Sequence, residues 1–178
     1  KGVRIDPLII GGHQEDNRRS GTENVPYIIG LGKACELAEG FVKAEQTEVR
    51  RLRDKLEKGI KDQLSHVVIS GENSERLPNT SSVSFEYVEG EATLLLLDMA
   101  GIATSSGSAC TTGSAEPSHV LQAMGVPPVT SRGTIRFSLS KYNTEDEIDY
   151  ILEKLVPIIK RLQSLSPLFE DSQHTAKK

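Results

Sequence analysis

T-I-R-F-S-L, Thr134 to Leu139, alternates strictly: Ile135, Phe137 and Leu139 fall on one side, Thr134, Arg136 and Ser138 on the other. Successive side chains of a strand point to opposite faces, so the segment predicts a half-buried strand with Arg136 turned away from the packed side. Upstream, Val83, Phe85 and Tyr87 interleave with Ser82, Ser84 and Glu86 and predict a second strand of the same kind. Val67-Val68-Ile69, bounded by Gly71, reads as a third. Leu8-Ile9-Ile10 before Gly11-Gly12 reads as a short strand and turn.

Helical signals separate these strands. Ile28, Leu31, Cys35, Ala38, Val42, Val49, Leu52, Leu56, Ile60 and Leu64 recur at three-and-four spacing, with Asn24 placed to cap the start and Pro26 suited to the first turn. Unbroken, that helix would run about 37 residues and about 55 Å, so a joint near Gly40 giving two helices is the other reading. Cys35 lies on the stripe and is expected in the core. Glu91–Ala100 reads as a helix stopped by Gly101, and Pro117–Met124 as one ended by Gly125 and the Pro127-Pro128 pair. The last helix opens at Thr144, capped reciprocally with Glu147, and buries Ile148, Ile151, Leu155, Ile159 and Leu162, with a kink expected at Pro157. Interleaved strands and helices with short connections predict an α/β fold in which a small, largely antiparallel sheet is covered by helices.

Composition narrows the function. The chain has 178 residues and a formal charge of -4, without the clustered Lys and Arg that a nucleic-acid surface requires. Its longest aliphatic run, Leu94–Leu97, is far below the roughly 20 residues needed to cross a bilayer, so no membrane role is expected. Two distant cysteines, Cys35 and Cys110, make neither a disulfide framework nor a zinc spacing, which favours a reducing compartment. The first residue is Lys1 and not Met, so an earlier start is expected to have been removed.

Three polar features stand outside the apolar pattern. T-S-S-G-S-A-C-T-T-G-S-A-E, Thr104 to Glu116, contains no large apolar side chain, and Gly107 and Gly113 bracket Cys110. A solvated cysteine on such a loop suits a sulfur that must travel; the plainer reading is a surface loop with an inert thiol. Arg136 offers a planar fork for a carboxylate, or else makes an ordinary surface ion pair. Arg18, Arg19, Ser20, Gly21 and Thr22 combine positive charge, backbone N–H groups and a hydroxyl, the ingredients of a phosphate cradle.

Several segments together carry a resemblance: G-G-H-Q-E-D-N-R-R-S-G-T-E-N at 11–24, L-P-N-T at 77–80, S-S-G-S-A-C at 105–110 with E-P-S-H-V-L-Q-A-M-G at 116–125, and I-R-F-S-L at 135–139. In this order they resemble the cysteine desulfurases of the NifS/IscS type, pyridoxal-phosphate enzymes of the class V aminotransferase superfamily, up to about Phe169. The resemblance implies the carboxyl-terminal portion of such an enzyme. Residues 1–25 would be a remnant of the large pyridoxal-phosphate-binding domain and 26–64 a connecting helix or helix pair. Residues 65–169 would form the small domain of a fold type I transferase and 170–178 a flexible tail.

By the same resemblance Cys110 is the nucleophile that takes sulfur from L-cysteine, leaving alanine, and Arg136 holds the substrate carboxylate. Thr22 would contact the phosphate of pyridoxal 5'-phosphate bound in the neighbouring subunit of a homodimer, with Arg19 close by; His13, as a sequence neighbour of that loop, is expected near the active site. The Cys110 persulfide would pass to an iron-sulfur scaffold protein or another acceptor in the cytoplasm. The Schiff-base lysine would lie upstream of Lys1, so the chain is a fragment or one half of a split enzyme, silent without its missing amino-terminal half. His66, His119 and His174 read as surface residues and no metal is expected. A non-catalytic sulfur-accepting or scaffold-binding module, and a selenocysteine lyase, are the alternatives.

Overall fold

The two alternating segments pair with each other. In the computed structural model, which describes residues 2, 5–106 and 118–169, β2 (Thr80–Phe85) and β4 (Thr134–Ser138) run antiparallel with Val83 opposite Ile135 and Ser82 opposite Arg136. β1 (Val67–Ile69) joins the far side of β2, and a two-residue strand, β3 (Ser105–Ser106), joins the far side of β4. The sheet order is therefore β1-β2-β4-β3, antiparallel throughout.

One sheet face is apolar, and three helices cover it: α4 (Arg50–Gln63), α5 (Gly90–Met99) and α8 (Glu145–Ser164). Val83, Phe85 and Ile135 from the sheet, Leu56 and Ile60 from α4, Leu97 from α5, and Leu155 and Ile159 from α8 are all fully buried in one cluster. This is the small antiparallel sheet under helices that the alternation predicts, because each amphipathic element can hide its apolar side only against another. Thr144 Oγ1 accepts from the Glu147 N–H at 3.3 Å while Glu147 Oε2 accepts from the Thr144 N–H at 3.0 Å, so the capping box at the start of α8 is formed. α8 continues through Pro157, whose ring faces solvent; the carbonyl it leaves without a helical partner belongs to exposed Glu153, within reach of water.

Several local expectations need correction. β2 ends at Phe85; Tyr87 sits in a turn at φ 67°, because the chain must swing there into α5. The segment around Cys110 does not begin as a free loop, since Ser105 and Ser106 pair with β4. Pro128 does not merely stop the preceding helix: after α6 (His119–Ala123), it opens α7 (Pro128–Arg132), where a missing N–H costs nothing.

The chain divides into two compact units, Lys1–Val42 and Lys43–Lys178. In the first, α1 (Gln14–Asn17) is a single turn in which Glu15, Asp16 and Asn17 take φ of 53°, 55° and 63°. It is followed by α2 (Val25–Glu39), capped by the Asn24 side chain. A turn at Gly40 and Phe41 interrupts the helical run. Helical backbone resumes through α3 (Val42–Ala44) and a π-helical turn, Glu45–Val49, before α4. No residue from 5 to 42 is buried, so Cys35 is exposed and not in a core, although its stripe is apolar. Leu8-Ile9-Ile10 forms no strand, there being no neighbouring strand to pair with among the described residues.

Gly133 lies where the backbone entering β4 crosses β2. A Cβ built there would stand 2.0 Å from the Phe85 carbonyl oxygen and 2.9 Å from that of Val88. Backbone cannot yield as a side-chain tip can, so Gly133→Ala should destabilise the chain by about 3 kcal/mol in urea unfolding; a midpoint equal to wild type would refute this reading of the crossing.

A second expectation concerns acid. Hydrogen bonds from Lys55, at 2.8 Å, and Arg51, at 3.0 Å, hold the Glu145 carboxyl below its ordinary value of 4.5. A carboxyl depressed on folding stabilises fully above 4.5 and loses that contribution as pH falls through its folded value. Between about pH 6 and about pH 3 the melting temperature of wild type should therefore fall further than that of Glu145→Gln, and identical profiles would show the pair to be inert.

Candidate functional site

Opposite the helices, the sheet presents hydroxyls. Ser84 Oγ and Thr134 Oγ1 lie 2.6 Å apart and both residues are buried. The next position along the ladder carries Arg136, half-buried and flanked in register by Ser82 on β2 and Ser105 on β3. Its Nε is fully buried with no hydrogen-bond partner, and the guanidinium makes no ion pair with any described residue. The surface ion-pair reading of Arg136 thus finds no carboxylate among the described residues. A desolvated, unpaired guanidinium N–H is costly, and it calls for an acceptor from outside the described residues, such as a water or a bound anion.

In the amino-terminal unit the R-S-G-T loop is closed by the Ser20 N–H, which donates to the Ile9 carbonyl at 3.1 Å. Arg19 is half-buried and its Nη1 donates to the Ser20 carbonyl at 3.3 Å; Gly21 takes φ 96°, and Thr22 is exposed with no hydrogen-bond partner among the described residues. A hydroxyl and a guanidinium three residues apart on one loop suit one side of a phosphate, which leaves most of that anion to be bound elsewhere. His13 is exposed and its Nδ1 lies 2.5 Å from Asn17 Oδ1.

Cys110 falls outside the described residues, as do His174 and the tail. His119 is exposed, as expected. His66 is not a plain surface residue: its ring meets Tyr87 and Phe169 edge-on at 5.2 and 5.7 Å, and its Nδ1 stands 3.5 Å from Glu86 Oε2. Among the described residues no cluster of three or more His, Cys, Asp or Glu could hold a metal ion, and no helix is long and apolar enough to cross a membrane.

A cleft of about 760 Å³ runs between α4 and the loop joining β1 to β2. Its main charges are already matched: Arg76 donates to both Glu57 carboxylate oxygens at 2.8 and 2.6 Å, Lys61 pairs with Glu72, and Arg53 donates to the Leu77 carbonyl. The Glu57 hydrogen bond raises the pKa of Arg76. These are ties between helix and loop.

Residues 9–151 match the class-V aminotransferase family. The chain belongs to that family. Over 167 residues it is 55% identical to the cysteine desulfurase NifS of Azotobacter vinelandii, covering 94% of this chain and 42% of that protein. Over 170 residues it is 54% identical to a cysteine desulfurase of Gluconacetobacter diazotrophicus, covering 96% and 42%. The solved structure of a NifS-like protein from Rickettsia africae superposes with a TM-score of 0.78 at 36% identity, over 89% of this chain and 41% of that one. This class-V chain therefore spans about two fifths of the length of the relatives it matches.

Sequence reasoning singled out Arg136 as a candidate but passed over the serines beside it. The signal was present: Thr80, Ser82 and Ser84 occupy every second position of β2, so what β2 contributes to the face that Arg136 shares is small hydroxyls. The pairing of β3 could not be found that way, because two serines show no periodicity.

Proposed function

We propose that this chain is the carboxyl-terminal part of a cysteine desulfurase, and the observation that carries the reading is the guanidinium of Arg136, with a buried Nε that finds no partner and no ion pair among the described residues, beside the strand that leads to Cys110. Arg136 binds the carboxylate of L-cysteine through parallel N–H donors and fixes where its side chain lies. Cys110 is five residues beyond Ser105, the register partner of Arg136. Five residues of extended chain span about 18 Å, so the thiol is tethered within reach of the bound amino acid.

The thiolate of Cys110 attacks the substrate sulfur, the Cβ–S bond breaks with its electron pair leaving on Cβ, and Cβ takes up one proton, equivalent to the one Cys110 gave up on ionising, so that the products are alanine and a Cys110 persulfide. Pyridoxal phosphate, when bound, supplies the electron sink that makes this bond labile. Thr22 and Arg19 contribute to holding its phosphate, in a site completed by a second subunit of a homodimer. The covalent lysine belongs to an amino-terminal portion absent from this chain, so these residues alone do not retain the cofactor. An iron-sulfur scaffold protein or another acceptor then takes the persulfide sulfur, in the cytoplasm.

Two experiments bear on this. In the complete enzyme, Cys110→Ala should abolish persulfide and alanine formation while L-cysteine still binds, and Arg136→Ala should raise KM about 100-fold through loss of the charge-assisted pair. Undiminished alanine release by Cys110→Ala would sink the assigned role. Separately, the 178-residue chain alone, incubated with cofactor and dialysed, should keep no visible absorbance band; a stable yellow complex would show that the covalent site is not missing.

A further inference from the structure

We infer that Ser82 is a second ligand for the substrate carboxylate, an assignment that rests on the reading of Arg136 just given. The hydrogen-bond pattern of the ladder makes the case. The Phe85 N–H donates to the Gly133 carbonyl at 3.0 Å, and the Leu139 N–H donates to the Asn79 carbonyl at 2.7 Å. The odd-numbered residues of β2 therefore form the hydrogen-bonded pairs with β4, and Ser82 with Arg136 is a non-hydrogen-bonded pair. In such pairs the Cα atoms approach to about 4.5 Å and the side chains stand closest. The neighbouring pair of this same class, Ser84 with Thr134, brings its two hydroxyls to 2.6 Å.

Of the two serines flanking Arg136, only one has a donor to spare. Ser105 Oγ donates to the Ser106 carbonyl at 3.1 Å. Ser82 accepts from the Ser70 N–H through its own carbonyl at 2.9 Å, but its half-buried hydroxyl has no partner among the described residues. A carboxylate has about four lone-pair positions, and a guanidinium fork occupies the two that face it. A hydroxyl alongside the fork can donate to a third. Ser82 is placed to do this, and its O–H would then restrict the amino acid's rotation about the Arg136 axis.

The test uses the complete enzyme. Ser82→Ala should raise KM for L-cysteine about fivefold with kcat unchanged, the loss expected for one hydrogen bond to a charged group at a half-exposed site. Ser82→Thr, which keeps the hydroxyl, should recover most of that loss. Arg136→Ala, assayed in parallel, separates the two claims. If its KM rises while that of Ser82→Ala does not, Ser82 is no ligand and the anchor reading survives; if Arg136→Ala leaves KM unchanged, both fall. A Ser82→Ala defect confined to kcat, or one that Ser82→Thr shares in full, also overturns the assignment.

Discussion

Every other feature of the carboxyl-terminal unit depends on the register between β2 and β4. With Val83 opposite Ile135 and Ser82 opposite Arg136, one ladder sorts its side chains into an apolar underside and a hydroxyl-bearing face. A slip of one strand by a single residue would exchange its two sets, driving Arg136 under α4 and α8 and turning Phe137 to solvent. Burying an unpaired guanidinium there would cost far more than any rearrangement could return. The Phe85–Gly133 and Asn79–Leu139 bonds mark the two ends of the ladder, and only a residue without a Cβ fits the first crossing. The position of Arg136 is thus fixed by the same pairing that builds the core.

The flanks of β2 are pinned by different forces. At its start, the loop from β1 is tied to α4 through Glu57 and Arg76, with Glu57 only 7% exposed. A carboxylate so enclosed requires its counter-ion, and losing Arg76 would leave a buried charge unpaired. At its end, His66 and Tyr87 both adopt left-handed backbone, at φ 59° and 67°, a conformation that costs about 1 kcal/mol per residue. The His66 ring meets the Tyr87 and Phe169 rings edge-on, the Tyr87 ring lies tilted at 59° to that of Phe169, and the Glu86 N–H donates to the His66 carbonyl at 2.9 Å. These contacts offset the strain and carry the chain from the strand toward α5.

What the sequence disclosed follows the range over which each signal acts. Alternation is local, so β2 and β4, the outward aim of Arg136 and the face shared by Ser82 and Ser84 were legible residue by residue, and β1 was legible as a short apolar run bounded by a glycine. Capping is local too, and Thr144 with Glu147 was readable from four positions. The stripe from Ile28 to Leu64 was read correctly as helical but not as a guide to burial. Leu52, Leu56, Ile60 and Leu64 are covered, whereas Ile28, Leu31 and Cys35 are not. Periodicity states which side of a helix seeks cover, and whether cover exists depends on other chain. Leu8-Ile9-Ile10 failed for the same reason, a strand being defined by its neighbour. β3 was missed because the pairing of Ser105 with Arg136 is written in the register of β4 and not in the serines.

On the proposed reading, anchor and nucleophile make opposite mechanical demands. A carboxylate anchor must hold its fork steady, and β4 has a neighbour on each side, with Ile135 and Phe137 locked beneath it. An acceptor sulfur must meet first the substrate and then a second protein, which a side chain fixed in a sheet cannot do. Ser105 and Ser106 pair with β4 and precede, in the sequence, a stretch of small residues that has no large apolar side chain to seat in a core. Placing the tether's origin directly beside Arg136 keeps the distance the sulfur must cover short. It also ties the geometry of delivery to the strand that fixes the amino acid, so any change that shifts β4 would disturb binding and sulfur transfer together.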